Sequence, residues 1–276
     1  MSHVNEKGKR KMKITYDTNH TFAVCAYKDS PYLEECIRSL TEQKVPTNII
    51  LCTSTPSPYI QDLADKYQIP VYVREGKSDI QDDWNFAYDT AKTQYVTIAH
   101  QDDIYGAEYT KVLFEKMAKY RDMSMFFCSY EAIKGTTRDA KERSSMVKRL
   151  LCLPVSFTPF AHWKWLKKSC ICMGNSISCP MITYNKNIVG DTPFQSKLKY
   201  ALDWEMNLKV ACMPGRFVYE KKPLGFYRIH EQATSKEFIL NNKKEQEDIE
   251  MFCHFWPMWL VKGIMVFYKK SYSAYD

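Results

Sequence analysis

The stretch Gln94-Tyr-Val-Thr-Ile-Ala-His-Gln-Asp-Asp-Ile-Tyr105 joins a short apolar run to two adjacent carboxylates. The apolar run, Gln94–Ala99, has the length and the β-branched residues of a buried strand. Asp102 and Asp103 come just after it, so we expect both acids at the tip of that strand. In open α/β sheets, ligands bind outside the carboxyl ends of the strands. The stretch therefore predicts an α/β fold and the place of its site.

Apolar runs of the same kind recur along the first half of the chain and alternate with helical patterns. The predicted strands are Thr21–Tyr27, Asn48–Cys52, Pro70–Val73, Gln94–Ala99 and Met123–Ser129. The predicted helices are one that begins at Pro31 with Ser30 as its N-cap, then Pro58–Tyr67, Asp82–Ala91 and Gly106–Tyr120. This alternation is typical of a mostly parallel sheet with right-handed crossovers. The second half is less regular, with a loop that runs into a strand predicted over Ile171–Tyr184, a helix over Tyr200–Ala211 and a short strand over Pro223–Ile229.

The two carboxylates after the fourth strand suit a hard divalent cation. Mg²⁺ and Mn²⁺ take one or two carboxylates together with phosphate oxygens and water. A cation held there neutralises charge on a departing diphosphate. Two acids in a loop are also typical of a helix N-terminus, and the residues alone leave that alternative open.

Several segments resemble the family 2 glycosyltransferases of the GT-A fold, in matching order from about residue 21 to residue 232. Val24–Leu40 is similar to the family's opening strand and helix, where a nucleotide base packs. Trp84-Asn-Phe-Ala-Tyr-Asp-Thr-Ala91 is similar to the helix before its acidic strand. His100-Gln-Asp-Asp103 stands where the family carries its Asp-x-Asp motif. The resemblance implies a Rossmann-like sheet flanked by helices and an inverting transfer from a nucleoside-diphosphate sugar, with a UDP-sugar favoured.

The resemblance also implies roles for individual residues. Asp102 and Asp103 are expected to hold Mn²⁺ or Mg²⁺, and a ring nitrogen of His230 completes the metal shell. Contacts to the nucleotide and donor are expected from Ala26, Tyr27, Asp29, Thr53, Ser54, Asn85, Gln101, Asp102, Asp103 and Arg228. The donor sugar and the acceptor are expected beside Gly174, Asn175 and Trp204. Asp203 is expected to act as the base that deprotonates the acceptor hydroxyl, with Glu205 as the second candidate.

Three positions depart from the family pattern. His100 replaces the first acid, whose usual role is contact with ribose or metal. Thr53-Ser-Thr55 stands where an acid for uracil or ribose recognition is usual, and Leu202 replaces a Glu before the base. These departures leave open a catalytically inactive, nucleotide-sugar-binding module. A sugar-phosphate nucleotidyltransferase is the other alternative, but the Gly-rich phosphate loop usual in that class is missing from Tyr27–Pro31.

The overall composition is that of a globular protein, with 45% hydrophobic and 26% charged residues. The net charge of +7 suits an anionic ligand or membrane surface. No nucleic-acid recognition motif accompanies this charge, so we expect no nucleic-acid partner. The ten cysteines form no Cys-x-x-Cys pair, and Cys25, Cys36, Cys52 and Cys212 fall within apolar patterns. This usage predicts free buried thiols and a cytoplasmic protein.

Two segments combine aromatic, apolar and basic residues: Phe160–Lys168 and Phe252–Lys270. Such segments suit either an interfacial position on a membrane or docking on the core, and the sequence leaves both open. The aromatic residues of Phe160–Lys168 also suit stacking on sugar rings. No run of about 18 apolar residues or signal peptide is visible, so we expect no transmembrane helix. Peripheral contact through residues 252–270 would place the enzyme at the inner face of the membrane.

The predicted organisation has three parts. A basic tail covers residues 1–20, a catalytic domain covers 21–235, and an amphipathic helical extension covers 236–276. The catalytic domain divides into a nucleotide-sugar-binding half, 21–130, and an acceptor-side half, 131–235. The expected acceptor is a saccharide or a lipid-linked one in surface polysaccharide or glycoconjugate synthesis, while the oligomeric state is left undetermined.

Overall fold

The computed structural model describes residues 16, 18–135, 137–140, 142–156, 158–230 and 243–269. The described residues do not include most of the predicted basic tail or both ends of the predicted helical extension. They also do not include residues 231–235 of the predicted catalytic domain. Within the described part, the chain forms one nine-stranded sheet with helices on both faces. The predicted α/β class is thereby confirmed.

The strands lie in the order β3-β2-β1-β4-β8-β6-β9-β5, and β7 pairs with β6. Their bounds are β1 His20–Ala26, β2 Asn48–Thr53, β3 Val71–Val73, β4 Tyr95–His100, β5 Ile104–Tyr105, β6 Met123–Lys134, β7 Thr137–Asp139, β8 Ile182–Asn185 and β9 Arg216–Ile229. The four strands β3, β2, β1 and β4 are parallel to one another. Their carboxyl ends therefore meet at one edge, where the acidic turn after β4 lies.

The helices cover the sheet because the parallel strands are apolar on both faces. Their bounds are α1 Leu33–Thr41, α2 Pro58–Tyr67, α3 Ile80–Thr90, α4 Tyr109–Lys119, α5 Arg143–Leu151, α6 Lys164–Ser169, α7 Lys186–Val189, α8 Leu202–Cys212, α9 Lys243–Cys253 and α10 Met258–Tyr268. Phe22 and Val24 pack with α1, α2 and α4, whereas Ala23 between them packs with α3 and α8. This alternation follows from the two-residue repeat of a strand, and two covered faces are typical of parallel sheets.

Helix starts near the site follow from capping residues, with one exception. Ser57 caps α2 by accepting a hydrogen bond from the Ile60 amide, and Asp79 caps α3 by accepting one from the Gln81 amide. The prediction that Ser30 caps the first helix is wrong, since α1 begins at Leu33. Residues 30–32 form a turn instead, in which the Ser30 hydroxyl accepts a hydrogen bond from the Tyr32 amide.

The second half has longer strands than the sequence pattern predicted, and β8 lies where a strand was predicted at the end of Ile171–Tyr184. β6 and β9 extend well beyond the predicted Met123–Ser129 and Pro223–Ile229, and they pair in parallel with three register shifts. β8 lies antiparallel between β4 and β6 and joins the two halves of the sheet. The acceptor-side half is therefore an extension of the same sheet.

The thiol predictions hold at most positions. All ten cysteines are free, and Cys36 and Cys52 are buried while Cys25 is partly buried. The predicted burial of Cys212 is wrong, because this residue ends α8 with its side chain exposed. Among the described helices, none combines the length and the hydropathy that a membrane crossing requires.

Candidate active site

The acidic turn after β4 is fixed by its own backbone and by β9. The Asp103 amide donates to the His100 carbonyl at 3.2 Å, which closes the turn. The Asp103 carboxylate accepts a hydrogen bond from the Arg228 amide at 2.9 Å. The Asp102 carboxylate lies 2.9 Å from Nε2 of His230, just beyond the end of β9. The structure thus brings together the two acids and the histidine that the sequence places more than 120 residues apart.

The two acids differ in their electrostatic surroundings. Burial acts to raise the pKa of Asp102, but the hydrogen bond from His230 and the charges of His100 and His230 outweigh it, so this pKa lies below 3.8. Burial, reinforced by the charge of Asp102, raises the pKa of Asp103 well above its usual value. The turn therefore keeps Asp102 ionised beside a second carboxyl that ionises more readily when a cation is near.

His100 belongs to the same cluster. Ligand atoms of His100, Asp102 and Asp103 all lie within 4.8 Å of one another. Nε2 of His100 and Oδ2 of Asp103 are buried and have no hydrogen-bond partner in the described part of the chain. Buried polar atoms without partners are costly, and a bound cation would satisfy them. The donor set therefore fits a divalent metal, and His100 supplies a nitrogen where the family pattern has an acid.

The guanidinium of Arg228 is engaged in contacts within the protein. Its guanidinium donates to the Glu35 carboxylate at 2.5 Å and to the Asp102 carbonyl at 3.0 Å, and it lies 4.5 Å over the ring of Tyr32. The side chain is only 8% exposed. These contacts tie α1 and β9 to the acidic turn, so the observed role of Arg228 is to position that turn. Its predicted contact with diphosphate oxygens remains a prediction.

The turn after β1 is joined to the acidic turn by a carboxamide. The Tyr27 amide donates to Oε1 of Gln101 at 2.9 Å, and Nε2 of Gln101 donates back to the Tyr27 carbonyl at 3.0 Å. Lys28 has a φ of 53°, a left-handed conformation held by a hydrogen bond from its amide to the Thr55 hydroxyl. The Tyr27 side chain is 46% exposed beside this turn, and the Lys28 ammonium lies 4.9 Å from the centre of its ring.

Other predicted nucleotide contacts are structural in this conformation. Ala26 is 4% exposed and packs in the core, and the Thr53 hydroxyl accepts a hydrogen bond from the Thr55 amide. The Asn85 carboxamide bridges to the backbone of Phe194 through both its oxygen and its nitrogen. Both polar side-chain atoms of Asn85 are thus engaged by Phe194, and the contacts predicted for Ala26 and Asn85 with the nucleotide and donor remain predictions. Asp29 accepts a hydrogen bond from Ser57 at 2.5 Å in the exposed turn.

An acid does lie at the tip of β2, although the sequence pattern placed none there. Asp83 on α3 accepts hydrogen bonds from Ser54 at 2.9 Å and from Ser78 at 2.7 Å, and it pairs with Arg74 at 2.7 Å. The Asp83 carboxylate thus occupies the region where the family usually has an acid after the second strand. The sequence signal for Asp83 is its position as an acid in the first turn of α3, directly before Trp84. The sequence analysis did not identify it as a candidate site residue.

The acceptor side is built around Asp203 at the start of α8. Its carboxylate accepts hydrogen bonds from Nδ2 of Asn175 and from the Trp204 amide, both at 2.8 Å. Burial raises the pKa of Asp203, opposed by the Asn175 hydrogen bond and the charge of Lys148. Residues two apart on a helix do not share a face, so Glu205 is directed away from Asn175. Oε2 of Glu205 is buried without a hydrogen-bond partner among the described residues.

The two acidic groups act on a common neighbour. Burial raises the pKa of the Cys179 thiol well above its usual value, and the charges of Asp203 and Asp103 raise it further. The charges of both carboxylates therefore disfavour the Cys179 thiolate.

Gly174 is required by packing beside the acceptor side. Its φ is +140°, and a Cβ at this position would lie 2.7 Å from the ring of Tyr268. Only glycine suits both the backbone conformation and this close approach. The loop that carries Asn175 is thereby fixed against α10.

Trp204 does not line an acceptor pocket, which corrects the prediction for this residue. It is fully buried, its indole donates to the Ile171 carbonyl at 3.0 Å, and its ring contacts Phe252 edge-on at 5.0 Å. The Trp204 side chain points into the core that joins α8 to α9 and α10. The sequence pattern showed an aromatic residue at the site but not the side of the helix it occupies.

This placement predicts a stability effect. Trp204→Ala is expected to lower the free energy of unfolding by about 3–5 kcal/mol, since it leaves a large cavity in the core. Urea unfolding followed by circular dichroism measures the change, and Trp204→Phe serves as a milder control. If Trp204→Ala were instead as stable as the wild type but bound the acceptor more weakly, Trp204 would line the acceptor pocket as the sequence predicted.

The comparisons with known proteins agree with this geometry. The family model "Glycosyl transferase family 2" matches residues 21–177. A search of the curated proteins finds no match to this sequence. Three similar solved structures have sequence identities of only 11–13% to this chain, so they bear on the fold alone.

Residues 1–349 of Staphylococcus aureus TarS, in complex with UDP-GlcNAc, are 13% identical with a TM-score of 0.58, over 89% of this chain and 70% of that one. The mannosyltransferase PcManGT from Pyrobaculum calidifontis, with GDP-Man and Mn²⁺, is 13% identical with a TM-score of 0.59, over 91% and 70%. Glucosyl-3-phosphoglycerate synthase from Mycobacterium tuberculosis, with Mn²⁺ and UDP-glucose, is 11% identical with a TM-score of 0.50, over 83% and 76%.

Proposed function

This chain belongs to glycosyl transferase family 2, and from that premise we propose that it transfers a sugar from a nucleoside-diphosphate sugar to an acceptor hydroxyl, with inversion and with a divalent metal. The observation that carries the proposal is the acidic turn, where Asp102 meets His230 and buried atoms of His100 and Asp103 lack partners. The base that we propose is Asp203, whose carboxylate accepts a hydrogen bond from Asn175.

The residues that would hold the metal are Asp102 and His230, supported by Asp103 and His100. Asp102 Oδ2 and His230 Nε2 lie 2.9 Å apart, so both would be available to one divalent cation in place of the hydrogen bond that joins them. An imidazole ligand suits transition metals better than Mg²⁺, which favours Mn²⁺. When bound, the metal would neutralise charge on the leaving diphosphate. Arg228 holds the turn in place for this task through Glu35 and the Asp102 carbonyl.

The donor nucleotide would lie across the turn after β1. The exposed Tyr27 ring offers a stacking surface, and Asp29 and Ser54 offer polar groups at the strand tips. We favour a UDP-sugar from the family resemblance. TarS is described with UDP-GlcNAc and PcManGT with GDP-Man, so the similar structures support a nucleotide-sugar donor without selecting the base.

Asp203 would take the proton of the acceptor hydroxyl. The hydroxyl oxygen attacks the anomeric carbon, the bond to the diphosphate oxygen breaks, and the diphosphate leaves on the opposite face. The proton passes to the Asp203 carboxylate, which Asn175 orients through its 2.8 Å hydrogen bond. The raised pKa of Asp203 makes it a stronger base than an exposed aspartate. Glu205 remains the second candidate.

We further propose a saccharide or lipid-linked acceptor, a role in surface polysaccharide or glycoconjugate synthesis, and a cytoplasmic location at the inner face of a membrane. The proposed division into a nucleotide-sugar-binding half and an acceptor-side half is supported by the strand order, in which β1 to β4 lie together and β8 joins them to β6 and β9. The free cysteines are consistent with a reducing compartment.

A thermal-shift screen of nucleoside diphosphates tests the proposed donor site. We expect one nucleoside diphosphate to raise the melting temperature in Mn²⁺ and to have little effect in EDTA. At a hundredfold excess over Kd, binding contributes about 2.7 kcal/mol of stability. An equal shift with and without Mn²⁺ would contradict the metal site. Release of pyrophosphate from a nucleoside triphosphate and a sugar phosphate would favour the nucleotidyltransferase alternative.

A further inference from the structure

Large apolar side chains that are exposed are concentrated in one part of the described chain. Of sixteen such residues, twelve lie between residues 146 and 267. They are Met146, Val147, Leu150, Leu153, Phe160, Trp163, Trp165, Met173, Met258, Trp259, Val266 and Phe267. The nucleotide-binding half has only three, which is normal for a soluble surface. Twelve clustered residues call for a partner that covers them.

The charge of the same segments is of one sign. Residues 143–190 contain seven Lys and Arg and no Asp or Glu, and residues 251–275 contain three Lys and no acid. Lys164 is exposed between Trp163 and Trp165, and Lys168 is half-buried one turn further along α6. Lys262 is exposed on α10. Apolar and aromatic side chains with interspersed cations, and without acids, complement an anionic lipid surface.

The segments meet at the loop that follows α6. The Trp256 indole, just before α10, donates to the Cys172 carbonyl at 2.8 Å. Tyr268 at the end of α10 packs against Gly174 in the same loop. Met173, between these two contacts, is 43% exposed. The exposed residues of α6 and of α10 are therefore joined through Met173.

We propose that α5, the turn and helix over residues 158–169, and α10 form a lipid-binding surface that lies in the interface of an anionic bilayer. Trp165 and Trp259, exposed at 62% and 75%, would insert at the depth of the headgroups, as aromatic rings do at membrane interfaces. The lysines beside them would contact the anionic headgroups. The described helices are too short to span, so the contact is peripheral.

The lipid-binding surface adjoins the acceptor side of the candidate active site. Asn175, which holds Asp203, follows Met173 and Gly174 in one loop. An acceptor anchored in the membrane would reach Asp203 from this side with its lipid still in the bilayer. The membrane contact itself does not depend on the proposed transferase reaction.

Sedimentation with vesicles tests the surface on the full chain. We expect binding to vesicles of phosphatidylcholine mixed with phosphatidylglycerol, and much weaker binding to phosphatidylcholine alone. The double variant Trp165→Glu and Trp259→Glu is expected to reduce binding by roughly tenfold or more, since it removes two interfacial aromatics and adds two negative charges. The matched control is Tyr72→Glu and Val73→Glu, which makes the same change of charge at two exposed apolar residues in the nucleotide-binding half.

Several outcomes would overturn the proposal. One is that the wild type does not bind the mixed vesicles. Another is that binding survives the tryptophan substitutions but is abolished by salt, which would assign it to the basic N-terminal residues. A third is concentration-dependent self-association that the same substitutions abolish without vesicles, which would assign the surface to a second copy of the chain. Nucleotide thermal shifts measured on the same variants separate failure of this surface from failure of the donor site.

Discussion

Asp102→Asn is expected to lower kcat for sugar transfer about a thousandfold, equivalent to about 4 kcal/mol of transition-state stabilisation. The carboxylate is the ionised acid of the turn and lies 2.9 Å from His230. An amide of the same shape keeps the fold of the turn but removes the charge that a divalent cation needs. The rate of nucleoside-diphosphate release from a donor sugar, measured with and without acceptor, gives the change.

Asp122→Asn is the matched control for this substitution. Asp122 lies at the opposite end of the sheet, just before β6, and pairs with Arg216 at 3.1 Å. The same change of charge there is expected to leave kcat within a factor of about two, because surface pairs contribute about 0–1 kcal/mol to stability and this pair touches no part of the site. Normal turnover by Asp102→Asn would show that the metal is held elsewhere or that no metal is needed.

Asp203→Asn is expected to lower kcat by about a hundredfold to ten-thousandfold, the range that general-base catalysis contributes. A base acts in its ionised form, and burial raises the pKa of Asp203. The wild-type kcat should therefore be low at a pH below this raised pKa and should rise as the pH passes through it. This rise is expected at a higher pH than an exposed aspartate would give. In Asp203→Asn, this acid limb is expected to disappear. A pH profile of kcat for both proteins measures it.

Glu205→Gln serves as the companion substitution. It lies on the same helix turn, but away from Asn175, so it is expected to retain most of kcat and the acid limb. The reverse pattern, with Asp203→Asn active and Glu205→Gln inactive, would assign the base to Glu205. Mn²⁺-dependent binding of the nucleotide should be unchanged in both variants, since neither residue belongs to the acidic turn.

The local pattern of the first half was enough to predict its architecture. Buried strands such as β1 and β4 are marked by short apolar runs, and α2 is marked by Ser57 and Pro58 at its start. Because the carboxyl ends of parallel strands meet at one edge, the place of Asp102 and Asp103 followed from their position after β4. The local sequence pattern was therefore enough to predict where Asp102 and Asp103 lie in the fold.

Features that depend on tertiary packing were not predictable from those signals. Strand β8 is only four residues long and pairs with strands distant in sequence. Trp204 faces the core because α9 and α10 pack over α8. The residues at the start of α8 do not indicate this packing. Arg228 donates a hydrogen bond to Glu35 on α1, 193 residues away in the sequence. This contact forms only when β9 lies beside the acidic turn, so the sequence pattern could not predict it.

The most direct test of the proposed site is a titration of Mn²⁺ followed by electron paramagnetic resonance, in the presence of the nucleoside diphosphate selected by thermal shift. The signal of free Mn²⁺ decreases as the ion binds. We expect the wild type and Asp203→Asn to bind one ion with the same affinity, and Asp102→Asn to bind at least tenfold more weakly, a loss of about 1.4 kcal/mol or more. Equal Mn²⁺ affinity in Asp102→Asn and the wild type would contradict the assignment of the metal to the acidic turn.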